Sequence, residues 1–99
     1  MQQTGNQVCE QMREVDLHLS RGHGGIQALD RQMARFRGEL NSAIRAGEKA
    51  LIFIHGVGSG KLREAIHDAL ASDYPSCRWH DAPFSRYGYN GATVVTIRQ

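Results

Sequence analysis

The sequence predicts an α/β domain, a two-layer sandwich in the order β-α-β-α-β-β with a four-stranded mixed sheet and both helices on one face. Three observations lead there. The hydrophobic period changes from two to three-or-four and back along the chain. One run, "ALIFI", is apolar on both faces, as a central strand should be. That run leads into a glycine turn, "HGVGSG", and then a helical pattern, the unit from which parallel sheets are built.

Residues 1–12 are polar and Gln-rich and read as a linker or N-terminal stub, leaving residues 13–99 as the domain. The first strand is "REVDLHL". Val15, Leu17 and Leu19 point one way, and Glu14, Asp16 and His18 the other. "SRGHGG" follows as a loop. From Ile26 the apolar positions step by three or four through Leu29, Met33, Phe36, Leu40 and Ile44, one helix stripe that Gly47 stops. The second helix runs from about Lys61 to Ser72 with Leu62, Ile66 and Leu70 inward, and Pro75 ends it. "CRWHDA" is a third strand and "ATVVTIR" a fourth, separated by the turn-rich "PFSRYGYNG". Helical crossovers make strands one to three parallel, in the order 1-2-3, and the long loop returns the last strand antiparallel.

Ninety-nine residues with 40% hydrophobic and 22% charged content make one ordinary globular domain. A formal charge of +2 is too weak, alone, to argue for a nucleic-acid partner. Cys9 and Cys77 stand far apart in no metal-binding spacing, so they read as reduced thiols of a cytoplasmic protein. The longest apolar run is too short to span a membrane, and the N-terminus lacks the apolar segment of a signal peptide.

The glycine turn fits neither common nucleotide-binding template. A P-loop needs Gly where His55 stands and a Ser or Thr where Leu62 stands. The dinucleotide fingerprint needs Gly-x-Gly-x-x-Gly, and Gly56, Gly58 and Gly60 are one residue short of it. What remains is a strand, a tight turn and a helix start, a geometry that receives an anion on backbone N–H groups. In a parallel sheet, sites form at the carboxyl ends of strands. The ends of strands one and two bring Asp16, His18, His55 and the turn to one edge, with Lys61 and Arg63 beginning the helix. Two imidazoles beside a helix N-terminus suit a phosphodiester.

These stretches carry a family resemblance. "VDLHL", "IHGVGSGKLREAI" and "YGYNGATVVTI" together resemble the small MutS-related (Smr) domain, over about residues 14 to 97. Asp16 and His18 match its first motif; His55, Gly56, Gly58 and Gly60 match its second. The resemblance implies a two-layer α/β domain similar to the C-terminal domain of a bacterial translation initiation factor. It implies nucleic-acid binding, endonuclease activity on DNA or RNA in several relatives, and in some an action on messenger RNA at the ribosome. It also implies attachment to a larger protein. Leu19 stands where the family usually has Gly, which gives weight to binding without cleavage.

Two functions follow. In an endonuclease acting on RNA, His18 is the general base for the 2′-OH, Asp16 orients it, His55 protonates the leaving oxygen, and the glycine-loop amides hold the phosphate. No metal or cofactor is called for; with DNA, a metal-assisted, activated water replaces the 2′-OH. In a non-catalytic adaptor, Arg21, Lys61, Arg63 and Arg86 track the backbone of DNA or RNA, and Phe84, Tyr87 and Tyr89 stack bases.

Overall fold

The computed structural model describes residues 12–17, 26–56, 60–83 and 91–97, without the side chains of Ile26 and Gln27. Its elements are β1 (Arg13–Asp16), α1 (Ile26–Ala46), β2 (Ala50–Ile54), α2 (Lys61–Asp73), β3 (Cys77–Asp81) and β4 (Ala92–Ile97). The strands form one four-stranded sheet in the order β1-β2-β4-β3. β1 runs parallel to β2, and β4 runs antiparallel to both β2 and β3.

The directions are those the sequence implies, but the 1-2-3 order is corrected. β4 inserts between β2 and β3. The reason lies in burial: "ATVVTI" is buried at five of its six positions, whereas "CRWHD" is buried only at Cys77. A strand apolar on both faces takes the centre, and a strand of Arg, His and Asp serves as an edge.

Period-two alternation divides the sheet into two faces. Val15, Leu17, Leu51, Phe53, Val95 and Ile97 pack with Phe36, Leu40 and Ala43 of α1 and with Leu62, Ile66, Ala69 and Leu70 of α2. Both helices therefore cover one face. Phe36 and Phe53 meet edge to face at 4.8 Å between centroids, a contact worth about 0.5–1.5 kcal/mol beyond its area. On the opposite face Ile52, Val94, Ala82 and Ala92 form a second, smaller cluster with Ile54 and Met12 against it. Met12, assigned by sequence to the lead-in, is thus packed.

The stripe on α1 ends differently from expectation: Ala43 is buried, while Ile44 is 36% exposed. Over five turns an ideal helix rotates relative to a fixed stripe, so the last inward position shifts by one. Gly47 stops α1 as expected, with φ 78°. Glu48 N–H donates to Ala43 O at 3.0 Å and Gly47 N–H to Ile44 O at 3.2 Å, the paired bonds of a Schellman cap. Arg13 then ties β1 to this corner through Glu39 (2.7 Å) and Glu48 (3.3 Å). No helix among the described residues is long and apolar enough to cross a membrane.

Candidate functional site

The parallel pairing of β1 with β2 sets the geometry. Asp16 is in register with Ile54, so the end of β1 lies beside the start of the glycine turn. Leu17 continues the pairing: its N–H donates to Ile54 O at 2.9 Å, and its carbonyl accepts from Gln32 Nε2 at 2.9 Å. Both backbone groups of Leu17 are thus held. Asp16 is exposed and shares the face of Glu14 and Ile54, away from the helices.

His55 faces the other way. It follows Leu51 and Phe53 onto the helix side and is 8% exposed. Its Nε2 lies 2.8 Å from Thr93 Oγ1, and its Nδ1 lies 3.2 Å from Gly56 O. Thr93, wholly buried, also lies 2.9 Å from His67 Nε2. The proton positions follow from chemistry. A carbonyl can only accept, so in neutral His55 the proton sits on Nδ1 and Nε2 is an acceptor. The Thr93 hydroxyl donates to that nitrogen, and its oxygen accepts from His67 Nε2–H. The chain therefore runs His67 to Thr93 to His55 to Gly56 O, each step donating forward.

Burial favours the neutral form of both rings. Desolvation lowers the His55 pKa from its ordinary value, with nearby Arg63 adding to the effect. For His67, desolvation and then Arg63 lower it to about 4. The His67 ring stacks on Trp79 at 3.7 Å and 19°. Arg63, one helical turn before His67, grips Asp81 through Nε and Nη2 at 3.0–3.3 Å.

The turn itself has two glycines in the left-handed region: Gly56 at φ 81° and Gly60 at φ 86°. Gly91 O accepts from both His55 N–H (3.0 Å) and Gly56 N–H (2.9 Å). The Gly56 amide is thereby committed to the fold. Gly60 is the N-cap of α2, with no side-chain cap bond at that terminus. An uncapped helix start carries a partial positive charge and several N–H groups without helical partners. Lys61 follows and is exposed.

Residues 15–98 match the Smr domain family. The chain belongs to the Smr domain family. It is 39% identical over 84 residues to the endonuclease MutS2 of Thermomicrobium roseum, covering 85% of this chain and 10% of that protein. Against the endonuclease MutS2 of Aquifex aeolicus it is 34% identical over 72 residues, 73% of this chain and 9% of that one. The crystal structure of the Smr domain of Thermus thermophilus MutS2 superimposes with a TM-score of 0.71 at 34% identity, covering 89% of this chain and all of that one. The chain thus spans about a tenth of the length of the curated relatives it matches.

Of the motif residues of this Smr domain, Asp16, His55, Gly56, Gly60, Lys61 and Arg63 are placed as described. His18, Gly58, Arg21 and Arg86 lie outside the described residues, as do Leu19, Phe84, Tyr87 and Tyr89. The sheet separates Asp16 from His55 by face, so the two are adjacent along the edge without sharing a surface. Sequence reasoning missed Thr93, His67, Asp81 and Gln32. One signal was available: Thr93 is a polar residue on the inward period of an otherwise apolar strand, and such a residue needs a buried partner. Among the described residues no group of three or more His, Cys, Asp or Glu could hold a metal ion.

Proposed function

We propose that this Smr domain binds nucleic acid and cleaves a phosphodiester at the edge formed by Asp16, His18 and the start of α2. The observation that carries the reading is the register of Asp16 with Ile54, which puts Asp16 beside the strand end that leads into the glycine turn. Membership of a family whose relatives include endonucleases supports it. With RNA, His18 takes the proton of the 2′-OH. The 2′-oxygen attacks phosphorus, the 5′-oxygen leaves and takes a proton from solvent, and a cyclic phosphate remains. Asp16 orients His18, and the α2 terminus with Lys61 stabilises the charge gathering on the phosphate. His55 is reassigned. Its nitrogens are bonded to Thr93 and Gly56 O and its pKa is lowered, so it holds the turn rather than donating a proton. A cytoplasmic location and attachment to a larger protein go with this reading.

A second reading is binding without cleavage, tethering a larger protein to DNA, RNA or the ribosome. Two features favour it: Leu19 after His18, and the commitment of the Gly56 N–H to Gly91 O, which removes one glycine-loop amide from the phosphate clamp. Labelled single- and double-stranded RNA and DNA, incubated with and without EDTA, decide between them. Cleavage of RNA that survives EDTA, stops with a 2′-deoxy substitution, and falls by roughly 10²–10⁴-fold in His18→Ala is the expected result. Salt-sensitive binding with no cleavage establishes the tether. No binding at low salt to any strand refutes both.

A further inference from the structure

We propose that Trp79, backed by His67, is a stacking platform for an unpaired nucleobase, so that the domain prefers single-stranded over fully paired nucleic acid. The proposal rests on the nucleic-acid reading above and names a subsite for it.

Trp79 is 39% exposed, one of two large exposed hydrophobics among the described residues. It stands on β3, the edge strand farthest from β1. Protection of that edge does not require it, because Arg78, His80 and Asp81 already supply the charges and polarity that discourage strand addition. Nor is the ring loose. His67 lies flat against one face, and His67 is itself held by Thr93, a wholly buried residue of the central strand β4. An indole supported from behind on a rigid sheet is pre-organised for a second flat ring.

The surroundings suit a nucleotide. Arg63 stands one turn before His67 on α2, and Asp81 engages only its Nε and Nη2, leaving Nη1 outside the fork. Beyond Arg63 lies the uncapped start of α2, the phosphate end of the proposed site. Three strand spacings, about 14 Å, separate β1 from β3. Trp79, in register with Val95, lies on the helix face and Asp16 on the other, so a strand cut near Asp16 turns round the sheet end at the α2 terminus and reaches Trp79 several nucleotides from the scissile bond. A base paired in a duplex hides its faces in the stack, whereas an unpaired one offers a face to the indole.

Trp79 is the single tryptophan of the chain, so its emission reports on this subsite alone. The test titrates the protein with end-labelled 2′-O-methyl RNA, which has no free 2′-OH to attack, both single-stranded and annealed to its complement. Probe anisotropy reports binding and tryptophan emission reports stacking. The expected result is emission quenching that tracks anisotropy for the single strand and is absent for the duplex. Trp79→Ala weakens single-strand binding by about 5- to 150-fold, and Trp79→Phe by less. The dependence of log K on log salt keeps its slope, because stacking releases no counterions. If Trp79→Ala does not fold, the wild-type emission and Trp79→Phe still decide. Binding by anisotropy with flat emission, or unchanged affinity in a folded Trp79 variant, overturns the platform and leaves nucleic-acid binding standing. Absence of binding to either form overturns both.

Discussion

The two faces of the sheet at the end of β2 use the same kinds of residue in opposite ways. On the helix face, His55, Thr93 and His67 form one hydrogen-bonded chain around a wholly buried hydroxyl, and Arg63 pairs with Asp81 beside it. On the other face Asp16 is exposed at the end of a strand whose backbone is pinned by Ile54 and Gln32. Neighbouring motif residues thus divide the labour: His55 braces the turn from within the helix face, while Asp16 meets solvent and, in our reading, substrate. The lesson is about period two. Residues close in a motif can stand on opposite surfaces of one sheet.

If the helix face is a brace, damage there costs stability first. Thr93→Val has the largest expected effect. It leaves an acceptor on His55 and a donor on His67 without partners in a largely buried setting, a loss of about 2–3 kcal/mol in urea unfolding. Thr93→Ser keeps the hydroxyl and recovers most of it. Next is Gly60→Ala. Among the described residues, chain neighbours aside, no atom lies within 4 Å of the added Cβ, so the cost is that of a left-handed backbone at φ +86°, about 1–2 kcal/mol. Gly60→Asn costs less, read by the same unfolding curves.

The brace also predicts a pH dependence. The folded pKa of His67 is about 4 against an ordinary 6.5. The unfolded chain therefore binds this proton first as the medium acidifies. The contribution is complete above about pH 6.5, falls as pH drops towards 4, and levels off below. His67→Phe, which keeps a ring on Trp79, should flatten the stability profile in that window relative to wild type. The smallest effect belongs to Arg63→Lys. It loses the fork to Asp81, a pair 27% and 42% exposed, and costs about 0.2–1 kcal/mol.

Most of the fold was legible because burial imposes a period. Leu51 and Phe53 against Ile52 and Ile54 marked β2 as central, and Gly47 marked the end of α1. The strand order was not legible through connectivity, since a hairpin-like return and a β-α-β step both satisfy it. The burial of Ala92, Thr93, Val94 and Val95 decided it, a pattern present in "ATVVTI" itself. At the site, the motif residues could be named, but not their faces relative to the helices. Thr93 and His67 lie 38 and 12 residues from His55 in sequence, and only the packing of α2 over β4 brings all three together.

The division between brace and reactive edge is tested most directly by single-turnover cleavage of RNA by His55→Gln beside His18→Gln, with unfolding and strand affinity measured on both. A glutamine at position 55 can still bond Thr93 but cannot transfer a proton. The account predicts that His55→Gln stays folded and cleaves within about tenfold of wild type, while His18→Gln loses roughly 10²–10⁴-fold. A His55→Gln protein that is as stable and binds as well as wild type, yet loses roughly 10²–10⁴-fold in rate, would contradict it and return His55 to the role of proton donor.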